Sequence, residues 1–506
     1  MSESKRIVRN TLFLYIRMLL ITGITLYTSR IVLKELGVSD YGIYNLVGGF
    51  VAMLGFFNSA MSSATQRYLS FDIGKGDMKQ LRKTFSTTLT IHILIAIIGV
   101  VLAETLGLWY INTKMVFPFE RLYAVNVVYQ FSVLTFLLNI IQVPYNALII
   151  ARERMNMYAY VSILEAILRL SIVFFLVYFG TDKLIVYSIL TFSLAFIIRM
   201  IYQIYCRKEF AESKYKFQYD KEYFKELISF SGWNLFGNIA FLAKGQGVNV
   251  ILNLFYGTVV NAAYGITNQV FSAVNMFVSN FQLALNPQIV KNYSQGNLKQ
   301  SHYLIVQGSK FSFFLMLIII PPILLNTDYI LHLWLANPPE YTMFFVQLCL
   351  INVLIDCLSG SLMIGAEASG KIKWYQIIVG TLVFMNLPIS YLTLKLGGAA
   401  YNVFVISIAI SLISLQFRLY FLKKVISFNI KEYYRKVLFR AVILGCLTMA
   451  IVYSFKTYFT YEMDFIIFIV ESVIVISLLA TLIIILGMTK SERVLLVKLV
   501  RNKLKL

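Results

Sequence analysis

Apolar stretches of about twenty residues follow one another along almost the whole chain, and this pattern limits the fold more than any motif does. A stretch of that length crosses the hydrocarbon core of a bilayer as one α-helix. An open strand there would leave its backbone amides unpaired, so the stretches must fold as helices. Of the 506 residues, 59% are hydrophobic and 14% charged, and the mean hydropathy is +0.74. Soluble domains are nearer half apolar and a quarter charged. The chain therefore reads as an all-α polytopic membrane protein with no room for a separate soluble domain. The length rule places about fourteen transmembrane helices, starting near residues 11, 42, 85, 122, 158, 184, 228, 260, 304, 342, 375, 400, 438 and 464. The first runs from about Thr11 to Leu33. It is too long for a signal-peptide core, and no small-residue cleavage site follows, so it reads as a retained span.

The net charge of +21 follows from topology rather than from nucleic acid. With the N-terminus in the cytoplasm, most of the Lys and Arg fall on the cytoplasmic side, the bias that orients membrane proteins. Both termini are then cytoplasmic. The longest polar interruption is "RKEFAESKYKFQYDKEYFKE", Arg207 to Glu226. Its mixture of Lys, Tyr and Phe suits a segment lying on the membrane surface. Taken as a linker over 207–227, it separates an N-lobe of six spans (1–206) from a C-lobe of six (228–422). Two further spans (423–487) and a basic amphipathic tail (488–506) follow. Cys206, Cys349, Cys357 and Cys446 form no CxxC pair and read as inert apolar residues. His92, His302 and His332 are scattered, so no metal site is readable.

Two short repeats point to duplication. "YGIYN" (Tyr41–Asn45) returns as "YGITN" (Tyr264–Asn268), 223 positions later, and "GDMKQL" (Gly76–Leu81) as "GNLKQS" (Gly296–Ser301), 220 later. Six spans separate the copies, so both cross the membrane in the same sense. That predicts a parallel repeat about a pseudo-two-fold axis along the membrane normal.

Asn268, Ser272, Asn275, Ser279 and Gln282 are spaced to share one helical face. Unpaired amides are costly in lipid, so this stripe is expected to line a wet cavity. At the offset of 223, the second span offers Asn45, Gly49, Ala52, Phe56 and Ser59, a weaker stripe that suits either a cavity or close helix packing. An ionised side chain at mid-span costs roughly 2.5–3.5 kcal/mol on insertion scales, which marks intramembrane charges as functional candidates. Arg17 and Arg30 lie in the first span and Lys244 in the seventh. Neither span holds an acid of its own, which suits an anionic ligand. Snorkelling competes with that reading, most strongly for Arg30. Gly245 and Gly247 follow Lys244 and could break that helix. Glu165 and Arg169, four apart, read as an internal neutralising pair. Asp356 and Glu471 are lone acids, each able to carry a coupling proton or sodium or to bond a neighbouring helix. No Gly-rich phosphate loop, HExxH or Ser-His-Asp set is present. No enzyme activity is expected, and no cofactor beyond a coupling H+ or Na+.

"LGVSDYGIYNLV" (Leu36–Val47), "VPYNALIIARERMNMYAY" (Val143–Tyr160), "SGWNLFG" (Ser231–Gly237), "GQGVNVILNLFYG" (Gly245–Gly257), "VNAAYGITNQV" (Val260–Val270) and "NFQLALNPQIVKNY" (Asn280–Tyr293) together resemble the bacterial polysaccharide flippases. These Wzx-like O-antigen and capsule repeat-unit transporters belong to the multidrug/oligosaccharidyl-lipid/polysaccharide exporter superfamily. The resemblance implies two six-helix lobes around a cavity plus two C-terminal helices. It implies translocation of undecaprenyl-pyrophosphate-linked oligosaccharide across the bacterial cytoplasmic membrane, for O-antigen, lipopolysaccharide, capsule or exopolysaccharide synthesis. Arg17, Arg30 and Lys244 would hold the pyrophosphate, and Asn45, Asn268, Ser272, Asn275 and Ser279 the sugars. The implied partners are the lipid-linked oligosaccharide, membrane lipids, a polysaccharide polymerase and chain-length or export components, with no nucleic acid. A multidrug antiporter of the same superfamily would prefer acidic cavity residues. A polymerase or ligase would need a sizeable outer loop, and a non-transporting scaffold is the remaining alternative.

Overall fold

The computed structural model of the chain describes residues 3–53, 56–113, 118–176, 178, 182–218, 220–335, 337–458 and 464–494. The side chains of Arg30 and Asn45, and most of the tail, lie outside the described residues. Among the described residues there are helices and no strand. The main helices are α1 (Glu3–Met53), α2 (Phe56–Lys75), α3 (Met78–Leu102), α4 (Leu108–Thr113), α5 (Leu122–Ala151), α6 (Met155–Leu176), α7 (Lys183–Glu209), α8 (Lys221–Tyr256), α9 (Thr258–Ser294) and α10 (Leu298–Leu325). They are followed by α11 (Thr327–Leu335), α12 (Thr342–Asp356), α13 (Gly360–Ala368), α14 (Lys373–Phe384), α15 (Asn386–Lys395), α16 (Asn402–Ile426), α17 (Ile430–Tyr433), α18 (Phe439–Tyr458) and α19 (Phe465–Leu482).

Among the described residues, twelve segments are long and apolar enough to cross a membrane. The remaining two of the expected fourteen are the stretch from Gly37 through α2 and α9. At 37 residues, α9 is long enough but too polar. These are the two segments that carry the repeated pentapeptides.

The duplication is visible in the backbone, in a register that corrects the pentapeptide offset. Gly37 breaks α1 with φ 75°, and Gly257 separates α8 from α9 with φ 74°. Gly76 and Gly296 end α2 and α9 with φ 74° and 75°. Left-handed backbone at a helix end favours glycine because it has no Cβ. Both glycine pairs are 220 apart, so 220 is the structural register and the pentapeptide match is slipped by one helical turn. Tyr264 then corresponds to Tyr44, and Asn268 to Gly48. At that offset the stripe Asn268, Ser272, Asn275, Ser279, Gln282 corresponds in sequence to small residues: Gly48, Ala52, Gly55, Ser59, Ser62. The second repeat is a turn followed by a helix cap. After Gly76, the Asp77 side chain accepts from the Gln80 amide at 3.0 Å, and α3 begins. Asn297 holds the same place before α10.

Contacts divide the chain into two compact units. The first comprises Met1–Asn238 with Val290–Asn297. It packs α1 to α7 around buried side chains such as Val128, Tyr129, Phe85, Tyr145 and Tyr202. At one end of its helices, Arg121 bridges Asp40 and Asp182, and Lys183 pairs with Glu35 at 2.9 Å. At the other end, the segment read as a surface linker is strapped to the first unit by ion pairs. α7 continues to Glu209, and the turn Ala211–Ser213 buries Glu212, which pairs with Arg152. Lys83 reaches Asp220 at 2.6 Å. The Lys83 hydrogen bond and local backbone amides hold that carboxyl below its usual range. Residues 290–297 join this unit because Gly74 lets them approach. A Cβ at 74 would lie 2.8 Å from the Lys291 carbonyl oxygen, and Lys291 pairs with buried Glu153.

The second unit comprises Ile239–Ile289 and Leu298–Leu506. Val248, Leu252, Ala263, Tyr264, Phe345 and Val403 form its core between α8, α9, α12 and α16. The last two spans, α18 and α19, pack on α10. There the buried Lys310 meets Glu492, which also accepts from Gln307 at 2.8 Å. Burial pushes the Glu492 carboxyl up, but Lys310 and the Thr489 amide outweigh it and hold it below its usual value.

Candidate functional site

The second unit brings one cation, one acid and several amides to a single cavity of about 130 Å³. α8 contributes Lys244, α9 Tyr264 and Asn268, α12 Asn352 and Asp356, and α16 Ser407. The acid is held in place, since the Asn352 amide donates to Asp356 Oδ2 at 2.9 Å. The Asn352 Oδ1 atom is buried without a hydrogen-bond partner among the described residues. Tyr264 donates to the Gly245 carbonyl at 3.0 Å, tying α9 to α8 beside Lys244. Lys244 and Asp356 make no ion pair within 4 Å among the described residues, so both keep bonding capacity for a ligand. The apolar span that holds Lys244 has no acid of its own, and α12 supplies one across the cavity.

Of the two possibilities left open at Gly245 and Gly247, the helix does not break: α8 runs unbroken to Tyr256. Gly247 is a packing position: a Cβ there would lie 2.5 Å from Leu387 Cδ2. Asn249 and Asn253 turn away from the cavity and bond Asn261 of α9, the latter at 2.7 Å. The polar stripe of α9 splits in use. Asn268 lines the cavity. Ser272 and Ser279 are exposed, and Asn275 is half-buried. Ser272 donates to the Asn268 carbonyl at 2.8 Å, and Asn275 bonds Ser279 at 3.4 Å. Gln282 is structural, with Ser312 Oγ at 3.2 Å and the Cys357 carbonyl at 3.3 Å.

The first unit has a cavity of about 320 Å³ on the corresponding helices. Tyr44, Gly48 and Val51 of α1 line it at the positions of Tyr264, Asn268 and Phe271. α5 and α7 supply Ser132, Phe136, Asn139 and Thr191, and among the described residues no charged side chain lines it. A separate cavity of about 230 Å³ between α1 and α6 is charged. Arg17, Glu165 and Arg169 share it with Thr28 and Ser162. Glu165 pairs with Arg169 at 3.2 Å, as their spacing predicts. Arg17 lies 4.6 Å over the Tyr158 ring, and its Nε has no hydrogen-bond partner among the described residues. Two guanidinium groups against one carboxylate leave this cavity positive and rich in spare donors.

Arg17 and Lys244 thus occupy separate cavities, one in each unit. Glu471 is on α19 and lines neither; its Oε2 is buried without a partner among the described residues. Arg30 and Asn45 cannot be placed, because their side chains lie outside the described residues. Sequence reasoning missed Asn352 and Arg169 as cavity residues. The signal for Arg169 was present, because it lies on the same helix face as Glu165. For Asn352 it was the (i, i+4) spacing to Asp356.

Residues 7–293 match the family described as "Polysaccharide biosynthesis protein". No curated protein matches the chain. Solved structures of similar fold include an outward-facing multidrug resistance MATE family transporter of the MOP superfamily. It has a TM-score of 0.71 and 11% identity, covering 84% of this chain and 96% of that one. A MATE in the straight conformation gives 0.72 and 11%, covering 84% and 97%. A MOP superfamily transporter from Pyrococcus furiosus, described as having a binding pocket of reverse polarity, gives 0.70 and 11%, covering 84% and 96%.

Proposed function

We propose, from the premise that this chain belongs to the polysaccharide biosynthesis protein family and is a membrane transporter with the MOP superfamily fold, that its cargo is a lipid-linked oligosaccharide. The protein flips an undecaprenyl-pyrophosphate-linked repeat unit across the cytoplasmic membrane by alternating access, for surface polysaccharide synthesis. The observation that carries the reading is that each unit sets a cation with spare donors among hydroxyls or amides: Arg17 with Thr28 and Ser162, and Lys244 with Asn268 and Asn352. A pyrophosphate needs charge-assisted hydrogen bonds to leave water. Sugar hydroxyls both donate and accept, which amides and hydroxyls match. Ser272, Asn275 and Ser279 extend the polar surface for further sugar contacts. Asp356 and Glu471 are the groups able to bind a coupling proton or sodium.

The test is reconstitution of the full chain in vesicles with fluorescent lipid-linked oligosaccharide, with and without an ion gradient. Label should become accessible to quencher on the far leaflet at a rate above protein-free vesicles. No acceleration under any gradient would sink the proposal. Asp356 favours a second reading, an organic-cation antiporter of the same superfamily, since a carboxylate in the Lys244 cavity attracts cations. Cation efflux that stops in Asp356→Asn and survives Lys244→Met would select it.

A further inference from the structure

A further cavity of the second unit lies away from Lys244. It is a groove of about 500 Å³ between α14 and α16. Tyr375 and Val379 form its floor, and Trp374, Phe417 and Tyr420 its exposed walls. Lys371, just before α14, and Lys424, near the end of α16, both line it. No acidic side chain lines the groove, and neither lysine makes an ion pair among the described residues. Arg418 adds to the positive field from behind the floor. It donates to the Tyr375 hydroxyl and lies 5.5 Å over that ring. Lysine and tryptophan at the end of a span mark the level of the lipid headgroups.

We propose that this groove binds one anionic phospholipid. The phosphate sits on the Lys371 and Lys424 ammonium groups, and one acyl chain runs along Val379, Phe417 and Tyr420. The charge pattern argues for this occupant. Two uncompensated cations lie at headgroup level, and the trough leading from them is apolar and aromatic. A zwitterionic lipid brings its own cation to the lysines and gains less. The expected preference for an anionic over a zwitterionic lipid is about fivefold per lysine.

The full chain in lipid nanodiscs tests this. Replacing Trp109, Trp233 and Trp334 by Phe leaves Trp374 as the only tryptophan, excited selectively over the 33 tyrosines. Brominated phosphatidylglycerol should quench Trp374 at a several-fold lower mole fraction than brominated phosphatidylcholine. Lys371→Gln with Lys424→Gln should bring the two curves together, while Lys395→Gln should leave them apart. If the tryptophan variant does not fold, native mass spectrometry of the unmodified chain should retain phosphatidylglycerol, and the double lysine variant should lose it. Equal quenching by both lipids, or a preference that survives the double variant, overturns the proposal. So does displacement of the brominated lipid by an equal mole fraction of undecaprenyl pyrophosphate, which would assign the groove to the transported lipid.

Discussion

The two units carry cavities on corresponding helices, yet only one is charged. Around Tyr44 the first unit offers Gly48, Ser132 and Phe136, and around Tyr264 the second offers Asn268, Asn352, Asp356 and Lys244. The aromatic anchor is kept: Tyr44 packs on Tyr187 of α7 at 4.9 Å between rings, and Tyr264 on Phe404 of α16 at 6.0 Å. The glycine break before it is also kept. Duplication has thus preserved backbone and packing while the chemistry diverged. Packing is shared because both copies must solve the same helix-crossing problem in lipid. Charge is not shared, because each intramembrane charge is costly and is retained only where it is used. In the first unit the charged cavity is a separate one, lined by Arg17, Glu165 and Arg169.

The strongest way to break this comparison is Lys244→Ala. If the charged cavity handles the cargo, transport should fall roughly tenfold or more, the scale of a lost charge-assisted hydrogen bond. The measurement is delivery of lipid-linked sugar to the outer face at matched protein level. The double variant Lys244→Ala with Asp356→Asn removes the leftover acid and should restore protein level but not transport. Full transport in either variant would remove Lys244 from the site.

Next in size is the backbone break. Gly37→Ala and Gly257→Ala each force a Cβ into left-handed backbone, at about 1–2 kcal/mol. Nothing lies within 4 Å of either Cβ position, so conformation alone sets the cost. The two variants should lower Tm by similar amounts in detergent. A drop in only one would mean that the register of 220 is not a structural equivalence.

Much of this was legible in the sequence. Span lengths and the "GDMKQL" and "GNLKQS" repeats yielded the fold class, the duplication and its true offset. The pentapeptide misled because Tyr41 and Tyr44 are one turn apart, so sequence identity chose the wrong tyrosine and geometry chose the right one. Gly245 and Gly247 left a break in that helix open, but α8 runs through both, with Leu387 packed against Gly247; the intrinsic penalty of about 1 kcal/mol per glycine is too small to end a helix that packing holds. The facing of Lys244 and Asp356 was not legible. They are separated by 112 positions, and no periodicity relates residues on different helices.

A smaller effect is expected from exchanging one position between the copies. Asn268→Gly gives the second cavity the residue of the first, and Gly48→Asn does the reverse. Losing one neutral hydrogen bond to cargo is worth about 1 kcal/mol, so Asn268→Gly should slow transport about fivefold. Gly48→Asn should change transport less than twofold, because no charge lies in that cavity to use with it. A larger loss from Gly48→Asn than from Asn268→Gly would reverse the assignment of roles.

The smallest effect belongs to the turn that first revealed the repeat. Asp77 caps α3 through the Gln80 amide, and Asn297 stands at the same place before α10. Asp and Asn cap helices about equally well, whereas Ala costs about 1 kcal/mol. Asp77→Asn should therefore leave Tm nearly unchanged and Asp77→Ala should lower it. The same order is expected for Asn297→Asp and Asn297→Ala. The two turns are interchangeable if their job is to end one helix and start the next. A marked loss of transport in Asp77→Asn at unchanged Tm would show that the first copy uses its carboxylate for more than capping, and the divergence of the two units would then reach beyond the cavities.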